Sequence, residues 1–270
     1  MKTYKSIIQL VKNGRGVWCL DTSIGCASGM AAHEGGCYGD CYAARSAKLR
    51  GYDFSKTVLR KFTSKIHEEE ILRRLNKIDE PFVRIGCSGD PSENWDHALS
   101  VIEAIRTTHK EIVIITRHWS LLSDYQLEFL SDVGVCINTS VSALDNPRQL
   151  ERCLSQYRRI SNFCNSVLRV VTCDFNTENK HGLEMANIQE RLLSNINVVD
   201  TVFRPSKSNP LVKDGVLKIQ KVKFLGSKMI ASRKNPNAFL GKCAQCVEKC
   251  GAAFFERKRS EEHTSELQSP

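Results

Sequence analysis

Apolar runs of strand length alternate along this chain with segments whose apolar positions recur at the spacing of a helix. The runs predict six strands: Gly16–Asp21, Phe82–Gly86, Ile112–Arg117, Val135–Ser140, Ser166–Thr172 and Val198–Arg204. From the second strand onward, the first residues lie about 23 to 32 positions apart, which is the length of one strand followed by one helix.

Helical spacing between the strands supports the same alternation. Asn146 followed by Pro147 predicts the start of one helix, with Asn146 as its N-cap. Two other apolar stripes are Ala98, Val101, Ile102 and Ile105, and Met185, Ile188 and Leu192. Alternating strands and helices predict an α/β fold with a parallel sheet. Six units are too few for a closed eightfold barrel, so we expect a partial (βα)6 TIM-like barrel, with its functional site at the carboxyl ends of the strands.

The alternation stops after the sixth strand. We expect residues 1–205 to form the barrel and residues 206–258 to form a small, basic, Cys-rich C-terminal appendage. Within it, Leu211 to Ile219 predicts a hairpin with Asp214 and Gly215 at the turn. Residues 259–270 resemble the translation of a sequencing adapter, so we expect them not to be native.

Composition places the chain among ordinary globular proteins, with 41% hydrophobic and 26% charged residues. The first residues lack the apolar stretch of a signal peptide, and no apolar run reaches membrane-spanning length. We therefore expect a cytoplasmic protein with no membrane partner. The net charge is +9, with its excess concentrated in residues 206–242. This excess favours a nucleic acid or another anionic partner, although a solvated surface would explain it equally well.

Twelve cysteines are many for a reducing compartment, where disulfides are disfavoured. Cys136, Cys153, Cys164 and Cys173 are spread through predicted strands and helices, so we interpret them as buried small hydrophobic residues. The others include two clusters, and clustering is typical of metal sites.

The first cluster comprises Cys26, Cys37 and Cys41, which follow the first predicted strand in a Gly-rich loop. Three thiolates on one loop can hold three irons of a cubane cluster and leave the fourth iron open. A zinc site completed by His33 or Cys19 is an alternative. Unligated or redox-active thiols are others, but there is no Cys-x-x-Cys pair here.

The second cluster is Cys243-x2-Cys246-x3-Cys250, a spacing typical of metal ligands. A zinc knuckle and an auxiliary iron–sulfur cluster both fit this spacing. Either would pin the basic appendage to the barrel.

A Cys-rich loop after the first strand of a partial barrel resembles the radical S-adenosylmethionine (SAM) enzymes. The longer first interval resembles a divergent branch that is often associated with phages and mobile elements. The matching motifs are Cys41-Tyr42-Ala43, Ile115-Thr116-Arg117, Asn138-Thr139-Ser140-Val141-Ser142 and the C-terminal cysteines. The resemblance spans roughly residues 16 to 250. It implies a [4Fe–4S] cluster on Cys26, Cys37 and Cys41 that uses an external electron donor to cleave SAM reductively. The resulting 5′-deoxyadenosyl radical would act on an unidentified substrate.

The resemblance also implies a set of SAM-binding residues. Ser88, Gly89 and Asp90 would meet the SAM amino group, although Gly89-Asp90-Pro91 also suits a tight turn. Asn138, Ser140 and Ser142 alternate along the fourth strand and would hold the ribose hydroxyls. Arg169 or Arg204 would pair with the SAM carboxylate, unless they form ordinary salt bridges.

A hypothesis of another class remains open at this point. The protein could be a non-enzymatic nucleic-acid-binding module held together by zinc or a cluster, and its affinity would then fall steeply with salt. Polar residues at several strand ends favour the enzyme, and the lysine excess favours the binding module.

Overall fold

The computed structural model of the chain describes residues 2–13, 16–219, 222–225, 228–231 and 249–251. Its strands are β1 (Val11–Lys12), β2 (Trp18–Cys19), β3 (Ser23–Ile24), β4 (Val58–Leu59), β5 (Phe82–Ile85), β6 (Glu111–Thr116), β7 (Cys136–Val141), β8 (Asn165–Thr172), β9 (Val198–Val202), β10 (Val222–Leu225) and β11 (Lys228–Ala231). Its helices are α1 (Ala27–Ala32), α2 (Tyr42–Leu49), α3 (Lys65–Lys77), α4 (Trp95–Ile105), α5 (Asp124–Val133), α6 (Pro147–Ile160), α7 (Lys180–Leu193) and α8 (Pro210–Lys213).

Seven strands form one mostly parallel sheet in the order β1-β2-β5-β6-β7-β8-β9. Strands β2 and β5 to β9 are parallel neighbours, and β1 joins the edge antiparallel to β2. All six predicted strands are confirmed, although β2 is shorter than expected and β9 ends at Val202. The order of the parallel strands follows the order of the chain, so the α/β class is confirmed. This order is compatible with a TIM-like arrangement.

Side-chain caps fix where several of the helices begin. The side chain of Asn94 accepts a hydrogen bond from the N–H of His97 at the start of α4. Ser123 and Gln126 form a reciprocal capping box at the start of α5. Asn146 caps α6 and Pro147 occupies its first turn, as predicted. These local signals agree with the strand pattern, so the alternation was readable from sequence.

Both faces of the sheet are buried. In β6, Ile112 and Ile114 pack with the helices of one layer, whereas Val113 packs on the opposite face. On that opposite face Val113 joins side chains from the other parallel strands and from the turn Lys249–Gly251. Because neither face meets water, the strands read as continuous apolar runs rather than as alternating ones.

The predicted hairpin at residues 211–219 is wrong. Pro210 begins the short helix α8, whose N-cap Asn209 accepts a hydrogen bond from the N–H of Leu211. Leu217 instead forms an isolated antiparallel bridge with Phe175. The cap and the proline favour a helical turn, and burial of Leu217 then holds the following segment against the sheet domain.

Several predicted features fall outside the described residues. These are Cys243, Cys246, most of the basic segment and residues 259–270. Within the ranges that the structure describes, no helix is both long enough and apolar enough to cross a membrane.

Candidate functional site

A cavity of about 440 Å³ opens at the carboxyl ends of the parallel strands. Cys26, Cys37 and Cys41 all line it. Cys26 is the N-cap of α1, where its Sγ accepts the N–H of Gly29 at 3.3 Å. Cys37 begins a single 3₁₀ turn, and Cys41 is the N-cap of α2. The fold therefore brings the three predicted ligands of the first cluster to one cavity.

Glycines make room for the thiols in this loop. A Cβ at Gly29 would lie 2.8 Å from the Sγ of Cys26, and one at Gly36 would lie 2.7 Å from the Cβ of Cys41. Gly36 also has a φ of +81°, a conformation that residues with side chains rarely adopt. Larger residues at either position would push the cysteines out of place.

The three thiols line one cavity, but they do not lie in the arrangement of a metal site in the described structure. Among the described residues, no three His, Cys, Asp or Glu side chains are grouped closely enough to hold a metal ion. Cys26 points its Sγ toward Oε1 of Glu93 at 3.5 Å. Burial raises the pKa of Cys26, and it raises the pKa of Cys37 to about 11, so metal binding would have to displace both protons. In chemistry the donor set fits an iron–sulfur cluster, because three soft thiols from one loop share one cavity.

Neither proposed fourth ligand for zinc belongs to this set. His33 and Cys19 are not among the described residues that line the cavity. Cys19 is instead paired with Cys87 in a disulfide, contrary to the expectation that disulfides would be disfavoured. The pairing follows from the sheet, since β2 and β5 are parallel neighbours and the loop after β5 folds back toward β2.

Asp21 holds that loop in place. Its buried carboxylate accepts the backbone N–H groups of Gly86, Cys87 and Ser88 at 2.7–3.0 Å. The carboxylate therefore fixes the segment that follows β5 against the end of β2, and Cys87 comes within reach of Cys19. Sequence reasoning overlooked Asp21, although a carboxyl group at the end of an apolar strand was a usable signal.

Ser88, Gly89 and Asp90 line the cavity beside the cysteine loop. The carbonyl of Ser88 accepts the N–H of Gly25 at 3.0 Å, which joins the two loops. The Asp90 carboxylate accepts hydrogen bonds from four groups within the protein, which are the N–H and hydroxyl of Ser92, the hydroxyl of Thr116 and the N–H of Arg117. Burial raises the pKa of Asp90, and these donors oppose that rise. The carboxylate thus binds neighbouring loops and has little capacity left for a ligand.

The predicted polar residues Asn138 and Ser140 of β7, and Ser142 just after it, do not act together. Ser140 lines the cavity. The side-chain amide of Asn138 donates to the carbonyl of Cys250 at 2.8 Å, and the hydroxyl of Ser142 donates to the carbonyl of Val171 at 2.8 Å. Asn138 therefore docks the C-terminal turn against the sheet, and Ser142 ties β7 to β8.

Arginines are the most numerous charged side chains in the lining of the cavity. Arg169 and Arg204 line the cavity. So do Arg45 and Arg84, which sequence reasoning missed, and Arg117, which it recognised only as part of a motif. Arg84 interrupts an apolar strand in the same way as Arg169, so the same signal was present there.

Arg117 is buried and has well-defined partners. Its guanidinium forms a buried salt bridge with Asp145 and lies 5.1 Å from the ring centroid of Tyr38 and 5.6 Å from that of Trp119. This arrangement fixes an aromatic wall of the cavity.

Two further carboxylates position the cysteine loop. Asp40 accepts the N–H of Ser206 and the side-chain amide of Asn209, both at 2.9 Å, so it ties the loop to the segment after β9. Glu93 accepts the N–H of Ser28 at 2.9 Å and the hydroxyl of Thr57 at 3.1 Å. The loop is therefore anchored from two sides of the cavity.

No protein-family model matches this chain, and no curated protein matches it significantly. Function must therefore be inferred from the residues around the cavity.

Proposed function

We propose that this protein is a radical SAM enzyme whose [4Fe–4S] cluster is bound by Cys26, Cys37 and Cys41. One observation carries the proposal: three cysteines of a single Gly-rich loop line one cavity at the carboxyl ends of parallel strands. That edge is where α/β folds place their ligands. On this proposal the sheet and its helices form a partial (βα)6 barrel, and the enzyme works in the cytoplasm with an external electron donor.

Residues of the chain would bind and position SAM beside the cluster. When bound, the cluster supplies a coordination site and a low-potential electron for the cleavage of SAM. Ser88 and Gly89 lie against the strand that leads into the cysteine loop, because a Cβ at Gly89 would lie 2.6 Å from the carbonyl oxygen of Ser23 in β3. Ser140 suits the ribose, and the half-buried Arg169 suits the carboxylate. Asp90 would position the loop after β5, because its carboxylate already has four donors.

Apolar side chains restrict the access of water to the same cavity. Phe54, Trp119 and Phe203 line it, and the ring of Tyr38 meets that of Phe203 edge-on at 5.6 Å. A site that excludes water suits a reaction with a reactive intermediate, because it suppresses side reactions.

The test is anaerobic purification, reconstitution with iron and sulfide, reduction, and EPR spectroscopy with and without SAM, together with an assay for 5′-deoxyadenosine. We expect a reduced-cluster signal that changes when SAM is added. Cys26→Ala, Cys37→Ala and Cys41→Ala should each lose iron and activity. Cys164→Ala is the matched control, because Cys164 is half-buried against α5 rather than in the cavity. A protein that binds stoichiometric zinc, takes up no iron and leaves SAM intact would overturn the proposal.

A further inference from the structure

The disulfide between Cys19 and Cys87 borders the same cavity, and its two halves differ in their access to it. Cys87 lines the cavity and is 7% exposed. Cys19 is 1% exposed, packs among apolar side chains of the parallel strands, and does not belong to the described part of the lining. A small molecule in the cavity therefore meets the disulfide from the side of Cys87.

Hydrogen bonds hold the segment after β5 in place without help from sulfur. Asp21 accepts three backbone N–H groups of that segment. The N–H of Leu20 donates to the carbonyl of Arg84 at 2.9 Å, beside the pairing of β2 with β5. Because these bonds remain when the sulfurs separate, the disulfide can open while the loop keeps its position. A disulfide in a reducing compartment is usually catalytic or redox-sensing rather than structural.

A guanidinium lies beside the sulfur of Cys87. The Nε of Arg84 donates to this Sγ at 3.1 Å, and Arg84 is buried in β5. A nearby positive charge stabilises a thiolate, which is the form in which a cysteine attacks a disulfide and the form in which it leaves one. Arg84 therefore favours Cys87 as the sulfur that exchanges with another molecule.

We propose that Cys19 and Cys87 are a redox-active pair, and that a low-molecular-weight thiol that enters the cavity exchanges with Cys87. The thiolate of this molecule attacks the Sγ of Cys87, the bond to Cys19 breaks, and Cys19 leaves as a thiolate that takes up a proton. A second thiol attacks the outer sulfur of the mixed disulfide and leaves Cys87 as a thiolate beside Arg84. Two small thiols are thereby oxidised to one disulfide, while the disulfide of the protein is reduced to two thiols.

The exchange changes the lining of the cavity. Cys26, Cys37 and Cys41 already line it, so opening of the disulfide adds a thiol at a fourth lining residue. The carbonyl of Cys87 also accepts the hydroxyl of Tyr42, the residue that follows Cys41. The pair does not depend on the proposed cluster, because neither of its cysteines belongs to the cysteine loop.

The experiment treats the full-length protein with hydroxyethyl disulfide or mercaptoethanol and maps each cysteine by mass spectrometry of its peptides. In wild-type protein and in the control Cys164→Ser, the oxidant should give the cross-linked peptide of Cys19 and Cys87, and mercaptoethanol should open it. Cys19→Ser should form a mixed disulfide at Cys87. Cys87→Ser is the matched variant, and it should form at least about tenfold less mixed disulfide at Cys19, because Cys19 does not line the cavity.

Arg84→Gln tests the role of the guanidinium. It should slow the reaction of reduced Cys87 with hydroxyethyl disulfide about tenfold, because it removes a charged hydrogen-bond donor to the thiolate. Arg84→Lys keeps the positive charge and should restore most of the rate. A rate that is unchanged in Arg84→Gln would contradict the assignment of Cys87 as the exchanging sulfur.

The wild-type protein alone also tests the pair, in case a serine variant does not fold. After reduction, iodoacetamide should alkylate Cys87 faster than Cys19. Equal alkylation, absence of the cross-linked peptide, or a bond from Cys87 to Cys250 would overturn the proposal; the Sγ of Cys250 lies 4.0 Å from Nη1 of Arg84.

Iron content separates this proposal from the proposed function. Cys19→Ser and Cys87→Ser should both take up as much iron as wild-type protein. Loss of iron from Cys87→Ser alone would overturn the pair, because Cys87 would then be an iron ligand. Exchange at Cys87 in a wild-type protein that takes up no iron would support the pair and contradict the proposed cluster.

Discussion

On the side of the cavity formed by the strand ends, buried aspartates hold neighbouring loops together; on the opposite side, the cysteine loop presents thiols with few partners. Asp21 binds the loop after β5, and Asp90 binds the residues after β6. Asp145 binds Arg117 and the N–H of Ser142. By contrast, within the described part of the chain the side chains of Cys37 and Cys41 show no hydrogen bond.

The difference indicates which groups are available for ligands. A buried carboxylate with several donors is stabilised where it is, and it resists the loss of those bonds when a ligand arrives. A thiol makes only weak hydrogen bonds, so it gives up little when it binds a metal. Ligand chemistry in this cavity should therefore reside in the cysteines and arginines, while the aspartates maintain the shape. The predictions below test this division.

The largest expected effect comes from Asp145→Asn. Asp145 is the buried partner of Arg117, and its loss leaves a buried guanidinium without a full counter-charge. Breaking a buried pair in this way costs about 3–5 kcal/mol of the free energy of unfolding. Glu151→Gln is the matched control, because the Glu151–Arg158 pair is exposed and should contribute less than about 1 kcal/mol. Urea denaturation measures the free energy of unfolding of both variants. An equal loss in the two variants would show that the Arg117–Asp145 salt bridge does not stabilise this side of the cavity.

A second prediction concerns pH and the strand-end side. His118 is fully buried, with a φ of +50° and its Nε2 2.9 Å from the hydroxyl of Thr139. Burial lowers the pKa of His118 to about 3, with help from Arg152 and Arg117. In the unfolded chain the same group takes up a proton near pH 6.5. Between these values the unfolded state binds more protons than the folded state, so stability falls as the pH falls.

Wild-type protein should therefore lose about 2 kcal/mol of unfolding free energy between pH 7 and pH 5 through this residue alone. His118→Asn should be less stable at pH 7 but should lack this part of the pH dependence. His181→Gln, an exposed substitution on α7, serves as the control and should behave like wild type. Urea titrations at the two pH values would contradict the prediction if His118→Asn kept the full wild-type loss.

Much of the fold could be predicted because its signals are local. The strands are apolar on both faces, and Asn146 with Pro147 marks a helix start without reference to any distant residue. The hairpin prediction failed for a related reason: it relied on the turn residues Asp214 and Gly215 and overlooked the helix start at Asn209 and Pro210. Local sequence signals thus predicted most helices and strands, and they gave a wrong prediction where a turn signal and a helix-start signal lie close together.

The site was predicted less completely because its partners are distant in sequence. The cysteine loop was readable as a motif, but the hydrogen bond from Ser206 to Asp40 spans 166 residues and the Arg117–Asp145 pair spans 28. Such pairs follow from the meeting of strand ends at one edge, not from local spacing. Asn138 shows the converse, since its polar position in a strand was recognised but its partner, the carbonyl of Cys250, was not.

Glu93→Gln tests the boundary between the two sides, and its expected effect is the smallest. Glu93 comes from the loop after β5, yet its Oε1 lies 3.5 Å from the Sγ of Cys26. Glutamine keeps an acceptor oxygen for the N–H of Ser28 but removes the negative charge. If Cys26 binds the proposed cluster, removal of a nearby anion favours the reduced cluster. Its reduction potential should then rise by less than about 100 mV.

An EPR-monitored redox titration of the reconstituted protein measures this shift. The control is Glu103→Gln, since Glu103 is exposed on α4, and it should leave the potential unchanged. Iron content should equal that of wild type in both variants, because neither substitution removes a thiol. A potential in Glu93→Gln identical to wild type, at full iron content, would place Cys26 outside the cluster's ligand set. Glu93 would then position the cysteine loop through its hydrogen bond with the N–H of Ser28 without affecting the chemistry of the proposed cluster.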